Sequence, residues 1–175
     1  MEFEKALDLI RQIPDFPKPG ILFLDITPIL SDSSAFAAIV SKMSESLADV
    51  ESIAGIEARG FILGSALANS AGMGFIPFRK KGKLPYQTFG AKYGLEYGDD
   101  EIEVHVDAFK NGERVLIVDD VLATGGTLLA AIELAERCGA IPARVLVLLE
   151  IADLNGRAKI QEKYPDIEIL ALKRT

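Results

Sequence analysis

Asp119 and Asp120 stand side by side at the end of an apolar run, in the stretch VLIVDDVLATGGT over residues 115–127. Paired carboxylates can accept hydrogen bonds from vicinal sugar hydroxyls, or meet a hydrated Mg2+ carried by a diphosphate. Beyond them, Gly125 and Gly126 let backbone N–H groups come close to a ligand, and Thr124 and Thr127 add hydroxyl donors. A helix starting near residue 127 turns its unpaired N–H groups toward an anion. Each such contact is worth only about 0.3–1 kcal/mol when exposed and roughly 2 kcal/mol when partly buried, so several must converge on one phosphate. The acids would repel that phosphate and therefore face another part of the same ligand, which points to a sugar phosphate carrying a further diphosphate. The plainer alternative makes Asp119 a turn residue and Asp120 a solvated cap. Neither G-x-x-x-x-G-K-[ST] nor G-x-G-x-x-G occurs, which turns the reading away from nucleoside triphosphates and dinucleotides.

A second group of candidates is cationic. RKKGK over residues 79–83 puts four cations in five positions of a 175-residue chain whose net charge is −7. That acidic balance argues against general electrostatic affinity for nucleic acid or an anionic membrane, so a bound anion needs a local basic cluster. The alternative for such a run is a solvated basic loop. Glu96 lies between Tyr93-Gly94 and Tyr97-Gly98, a carboxylate among glycines and aromatics. This suits a loop that excludes water from a reactive sugar carbon, where a positioned acid or base contributes about 10²–10⁴ in rate; the alternative is an exposed side chain. His105 in EIEVHV reads as an ordinary strand position, Cys138 as a packing residue, and Met43 and Met73 as core.

The elements that must position these residues alternate. Apolar spacing predicts a helix over 3–13 closed by Pro14, then a proline-rich folded loop with an extended core at Ile21–Leu24. Helices over 34–50, 61–71 and 127–138 follow, with strands at 52–57, 73–78, 101–106, 115–120, 144–151 and near 167–172. This is the pattern of one α/β domain with a mostly parallel central sheet flanked by helices. In such sheets ligands sit beyond the carboxyl ends of strands, which is where residues 119–127 fall. The single cysteine fits a reducing compartment, and the start lacks the features of a secretory signal. No apolar run reaches the roughly 18 residues of a membrane span, so a cytoplasmic protein without membrane contact is expected.

The run ending in Asp-Asp and A-T-G-G-T resembles the phosphoribosyl pyrophosphate (PRPP) signature of the type I phosphoribosyltransferases. FPKPGILFLDITPIL (16–30), GIEARGFILG (55–64), RKKGKLPYQTFGAKYGLEYG (79–98) and LLEIADLNGRAKI (148–160) resemble, in order and over almost the whole chain, the adenine phosphoribosyltransferases of that family. The resemblance implies a small N-terminal base-binding hood over about 1–33, and a core over 34–175 with a flexible loop at about 82–100. It implies that Ala123, Thr124, Gly125, Gly126 and Thr127 hold the 5-phosphate, while Asp119 and Asp120 meet the ribose hydroxyls. Arg59, Arg79, Lys80 and Lys83 would bind pyrophosphate, with Arg59 and Glu96 catalytic. Leu22, Phe23 and Leu24 would read adenine, largely through backbone groups. A strained peptide of the family maps to Glu57-Ala58.

The implied cofactor is Mg2+ carried by PRPP and contacted through water by Asp119 and Asp120, with no metal held by the protein itself. The implied assembly is a homodimer with PRPP and adenine as small-molecule partners. The chain departs from many members at Leu24, where they carry arginine. That departure leaves a transferase for another purine base as one alternative. A second is a non-catalytic regulator that binds PRPP or a purine nucleotide, although the chain shows no added DNA-binding segment.

Overall fold

A computed structural model of the chain describes residues 1–94 and 100–175. It divides into two units, Met1–Glu45 and Ser46–Thr175. The first holds helix α1 (Phe3–Leu7), a hairpin of β1 (Arg11–Pro14) and β2 (Leu22–Asp25), and helices α2 (Thr27–Ser31) and α3 (Ser33–Ser44). The helix expected over 3–13 is shorter because its second half finds a partner strand: Ile13 lies opposite Phe23 in the antiparallel hairpin, and Arg11 reaches Asp25 at 3.5 Å. Helical spacing of Phe3, Leu7, Ile10 and Ile13 fits a short helix followed by a strand equally well, and long-range pairing decides between them. The proline-rich stretch conceals α2, whose Pro28 sits in the first turn, where a missing N–H costs little. At α3 the Asp32 carboxylate accepts the Ala35 N–H at 2.8 Å, and Ala35, Ile39 and Met43 are buried on one stripe.

The second unit is built on β3 (Ser52–Ile56), α4 (Arg59–Ala71), β4 (Gly74–Lys80), β5 (Thr88–Tyr93), β6 (Asp100–His105), β7 (Arg114–Leu122), α5 (Gly126–Arg137), β8 (Ile141–Glu150), α6 (Gly156–Lys163) and β9 (Glu168–Arg174). Its sheet runs β5-β6-β4-β3-β7-β8-β9. The five strands from β4 to β9 are mutually parallel, and the β5–β6 hairpin joins antiparallel at the β4 edge. Val115 to Val118 of β7 are fully buried, as a central parallel strand covered on both faces requires. Strand β7 continues through the two acids to Leu122 rather than stopping at them.

In this second unit, strand β5 and helix α6 were not predicted. Strand β5, TFGAKY, is broken by Gly90 and Lys92 as a pattern, yet Arg137 at the end of α5 holds it, donating to the Gly90 carbonyl at 2.7 Å and lying 5.0 Å from the Phe89 ring centre. Helix α6 is almost wholly polar and buries only Gly156 and Ile160, so it lacks an apolar stripe to read. Among the described residues no helix is long and apolar enough to cross a membrane.

The direction of the connections reverses between β3 and β7. From β3 the chain passes through α4 to β4 on one side; from its neighbour β7 it passes through α5 to β8 on the other. Adjacent strands whose chains leave in opposite directions open a crevice between their following loops.

Candidate active site

The crevice is a cavity of about 650 Å³. One wall is Glu57, Ala58 and Arg59, which lead from β3 into α4; the facing wall is the end of β7 and the loop Ala123 to Thr127 that starts α5. The Glu57–Ala58 peptide is cis, at the position to which the resemblance pointed. Gly125 has φ +81°, a conformation open to glycine, and caps α5 so that the first turn of the helix faces the cavity.

Arg59 joins the two walls. Its Nε lies 2.8 Å from Oδ2 of Asp120, whose side chain is 5% exposed. Asp119 folds back, and its Oδ1 accepts the Asp120 N–H at 2.8 Å. Burial pushes the Asp119 carboxyl well above the usual carboxylate range, and the Asp120 charge adds to it. Burial also raises Asp120, with the Arg59 guanidinium pulling against it. Two acids are thus held close together in a poorly solvated crevice, which favours a ligand offering hydroxyl donors. Gly60 makes this approach possible: an added Cβ would stand 2.8 Å from the Val118 carbonyl oxygen and 3.1 Å from Asp119 Oδ1.

The basic run divides by role. Lys80 reaches the cavity wall. Arg79 instead braces the framework, with its Nε 3.3 Å from Glu57 Oε2 and its Nη1 donating to the Lys83 carbonyl at 3.1 Å. The same Glu57 oxygen accepts the Lys80 N–H at 2.8 Å. Burial opposes the Glu57 charge, but the Lys80 N–H and Arg79 together hold its carboxyl below the usual value. Lys81 pairs with Glu101 at 2.7 Å, and exposed Lys83 stands outside the cavity wall.

Leu22, Phe23 and Leu24 lie on β2 of the first unit, with Phe23 packed edge-on against Phe16 at 5.2 Å. Glu96 lies outside the described residues. Among the described residues no cluster of three or more His, Cys, Asp or Glu side chains could hold a metal ion. His105 ends β6 beside Tyr86, and burial raises the Cys138 thiol, which suits packing rather than nucleophilic chemistry.

Tyr93 is a site residue that sequence reasoning missed. At the end of β5 it lines the cavity together with Thr127 and packs beside Gly126. Burial, then the charge of Asp100, raises its phenol pKa above the ordinary value. Its aromatic type beside Gly94 was the only signal; the hairpin that delivers it to the α5 terminus could not be read from the pattern.

The phosphoribosyl transferase domain family matches residues 28–170. An adenine phosphoribosyltransferase from Parvibaculum lavamentivorans is 52% identical over 169 residues, covering 94% of this chain and 94% of its own. Adenine phosphoribosyltransferase from Thermoanaerobacter pseudethanolicus has a similar crystal structure, with a TM-score of 0.91 at 44% identity over 99% of each chain. The APRTase of Giardia lamblia complexed with 9-deazaadenine matches with a TM-score of 0.92 at 42% identity, over 100% of this chain and 98% of that one.

Proposed function

The chain belongs to the adenine phosphoribosyltransferases, enzymes of the phosphoribosyl transferase domain family, and from that premise we propose that it transfers the 5-phosphoribosyl group of PRPP to N9 of adenine, giving AMP and pyrophosphate in purine salvage. The observation that carries this reading is the crevice between β3 and β7, in which a glycine-bent helix start faces half-buried Asp119 and buried Asp120, the latter paired with Arg59. The ligand it suits has a phosphate at one end, hydroxyls in the middle and a diphosphate beyond.

In this reading Ala123 to Thr127 and the start of α5 hold the 5-phosphate, with Tyr93 as a further donor. Asp119 and Asp120 accept hydrogen bonds from the ribose hydroxyls. Arg59 and Lys80 face the departing pyrophosphate, and Arg79 and Lys83 support it from outside the wall. Cations fixed where charge develops lower the barrier without reorganising at the moment of reaction. The bond from the anomeric carbon to the pyrophosphate oxygen breaks and its electron pair leaves with pyrophosphate. Adenine N9 forms the new bond, and the proton at its imidazole edge passes to the Glu96 carboxylate. Backbone groups of Leu22, Phe23 and Leu24 orient the base.

Two neighbouring carboxylates, one already bound to a guanidinium, suit contact through water with a Mg2+ that arrives on PRPP better than they suit a resident metal. When bound, that ion supplies charge neutralisation to the diphosphate. We also assign a homodimer, from the family resemblance, and a cytoplasmic place, from the lone cysteine; sedimentation velocity tests the first.

Leu24, the departure from the family pattern, leaves one further reading to test, a different purine base. Pyrophosphate release is measured with PRPP and Mg2+ in parallel with adenine, hypoxanthine, guanine and xanthine. Release with adenine alone is expected. Release with another base alone moves the specificity, and PRPP binding with no release under any base replaces the enzyme by a regulator.

A further inference from the structure

The 5-phosphate loop has a neighbour that the proposed reaction does not use. Gly156, the first residue of α6, meets the loop backbone to backbone. An added Cβ on Gly156 would collide with the Ala123 carbonyl oxygen and stand 2.9 Å from the Gly125 nitrogen. A Cβ on Gly125 would stand 2.7 Å from the Gly156 carbonyl oxygen. Both sides of this contact therefore exclude a side chain, and the contact falls on the peptide units whose direction decides where the loop N–H groups point.

A buried ion pair seats Gly156 there. Glu150 ends β8 and is 2% exposed. Its carboxylate receives the next residue of α6, Arg157, through Nε at 2.9 Å and Nη2 at 2.5 Å. Arg157 Nη1 also donates to the Ile169 carbonyl at 2.7 Å, which ties the start of α6 to β9 as well. A planar guanidinium with three such bonds fixes direction as well as distance. The rest of the restraint comes from the strands themselves, since the Ile151 N–H donates to the Leu122 carbonyl at 2.9 Å just before the loop departs. A loop with a positive-φ glycine has little stiffness of its own, so its shape must be imposed from outside.

We propose that Gly156 is a positioning residue for the 5-phosphate loop, held against Ala123 and Gly125 by the Glu150–Arg157 pair, and that it sets affinity for the phosphate end of the ligand only. The inference rests on the proposed phosphoribosyl transfer. It differs from a purely structural role in one respect: a structural defect weakens every ligand, whereas a misdirected loop weakens ligands that carry the 5-phosphate and spares those that do not.

Ribose 5-phosphate and magnesium pyrophosphate are therefore titrated separately by calorimetry into the wild-type chain, Gly156→Ala and Arg157→Gln. Failure of the wild-type chain to bind ribose 5-phosphate would count against the function itself. Given wild-type binding, Gly156→Ala is expected to bind ribose 5-phosphate at least about tenfold more weakly and pyrophosphate within about twofold of wild type. In turnover, the KM for PRPP should rise more than kcat falls. Arg157→Gln should shift the same way by less, and Arg157→Lys should recover part of the loss. Should Gly156→Ala fail to fold, Arg157→Gln carries the test. Equal weakening of both ligands, or unchanged ribose 5-phosphate binding in a folded variant, overturns the inference.

Discussion

Asp119 sets function against stability within one side chain. Its carboxyl is raised by burial first and by the Asp120 charge second. With the folded value above the unfolded one, the folded chain keeps this proton at pH values where the unfolded chain has lost it. The contribution to stability is then complete below the ordinary carboxylate range and is lost as pH rises through the folded value. Asp119→Asn is expected to raise Tm near neutral pH in scanning calorimetry, with the gain shrinking toward acid pH; a lower Tm would show that the buried charge is already compensated. The same variant should lose about ten- to a hundredfold in kcat/KM, because a hydrogen bond to a charged group is worth about 1.5–3 kcal/mol. Glu57 has the opposite sign. Its carboxyl is held below the usual value, so its stabilisation is present near neutral pH and lost as pH falls through that lowered value. Glu57→Gln should lower Tm near neutrality, by an amount that disappears in acid.

At the level of elements, the glycines and the hairpin set the geometry. Gly60→Ala would press a methyl group onto the Val118 carbonyl oxygen and Asp119, forcing α4 away from β7. Overpacking of this kind costs about 1–3 kcal/mol, and urea unfolding should show it together with weaker PRPP binding. Tyr93→Phe removes one hydroxyl beside Thr127 and should raise the KM for PRPP by about two- to tenfold with little change in Tm, as one net hydrogen bond of about 0.5–1.5 kcal/mol implies. An unchanged KM would make Tyr93 a packing residue. The same elements mark what was legible. Strand β7, the glycine loop and α5 could be read because everything they need is contiguous: a doubly buried run, a bend and an apolar stripe. Strand β5 and the short α1 could not, because their states depend on partners distant in sequence, Arg137 for one and β2 for the other. For the same reason RKKGK announced an anion site without revealing that Arg79 serves Glu57 while Lys80 faces the cavity.

Across the whole molecule, the charge of −7 sets protein and ligand against each other at long range. The cations of the crevice act only nearby. Raising salt from about 0.01 to 0.15 M shortens the Debye length from about 30 to 8 Å, so long-range repulsion is screened before the local pairs are. The association rate of PRPP in stopped flow should therefore rise over that range, and its dissociation rate should change little. A falling association rate would mean that the basic run dominates the approach.

The pairing of β3 with β7 reaches further than the crevice it opens. Ser52 lies opposite Val115, so this contact closes only after a long stretch of intervening chain has been drawn in. Loop-closure entropy makes such parallel pairings late and slow. The walls that carry Arg59 and Asp120 meet only then, and a half-assembled chain has no partial version of the pocket to offer. During refolding from urea, competence to capture PRPP should return in the same kinetic phase as the last gain of sheet signal, with no earlier phase in which ligand can speed the search.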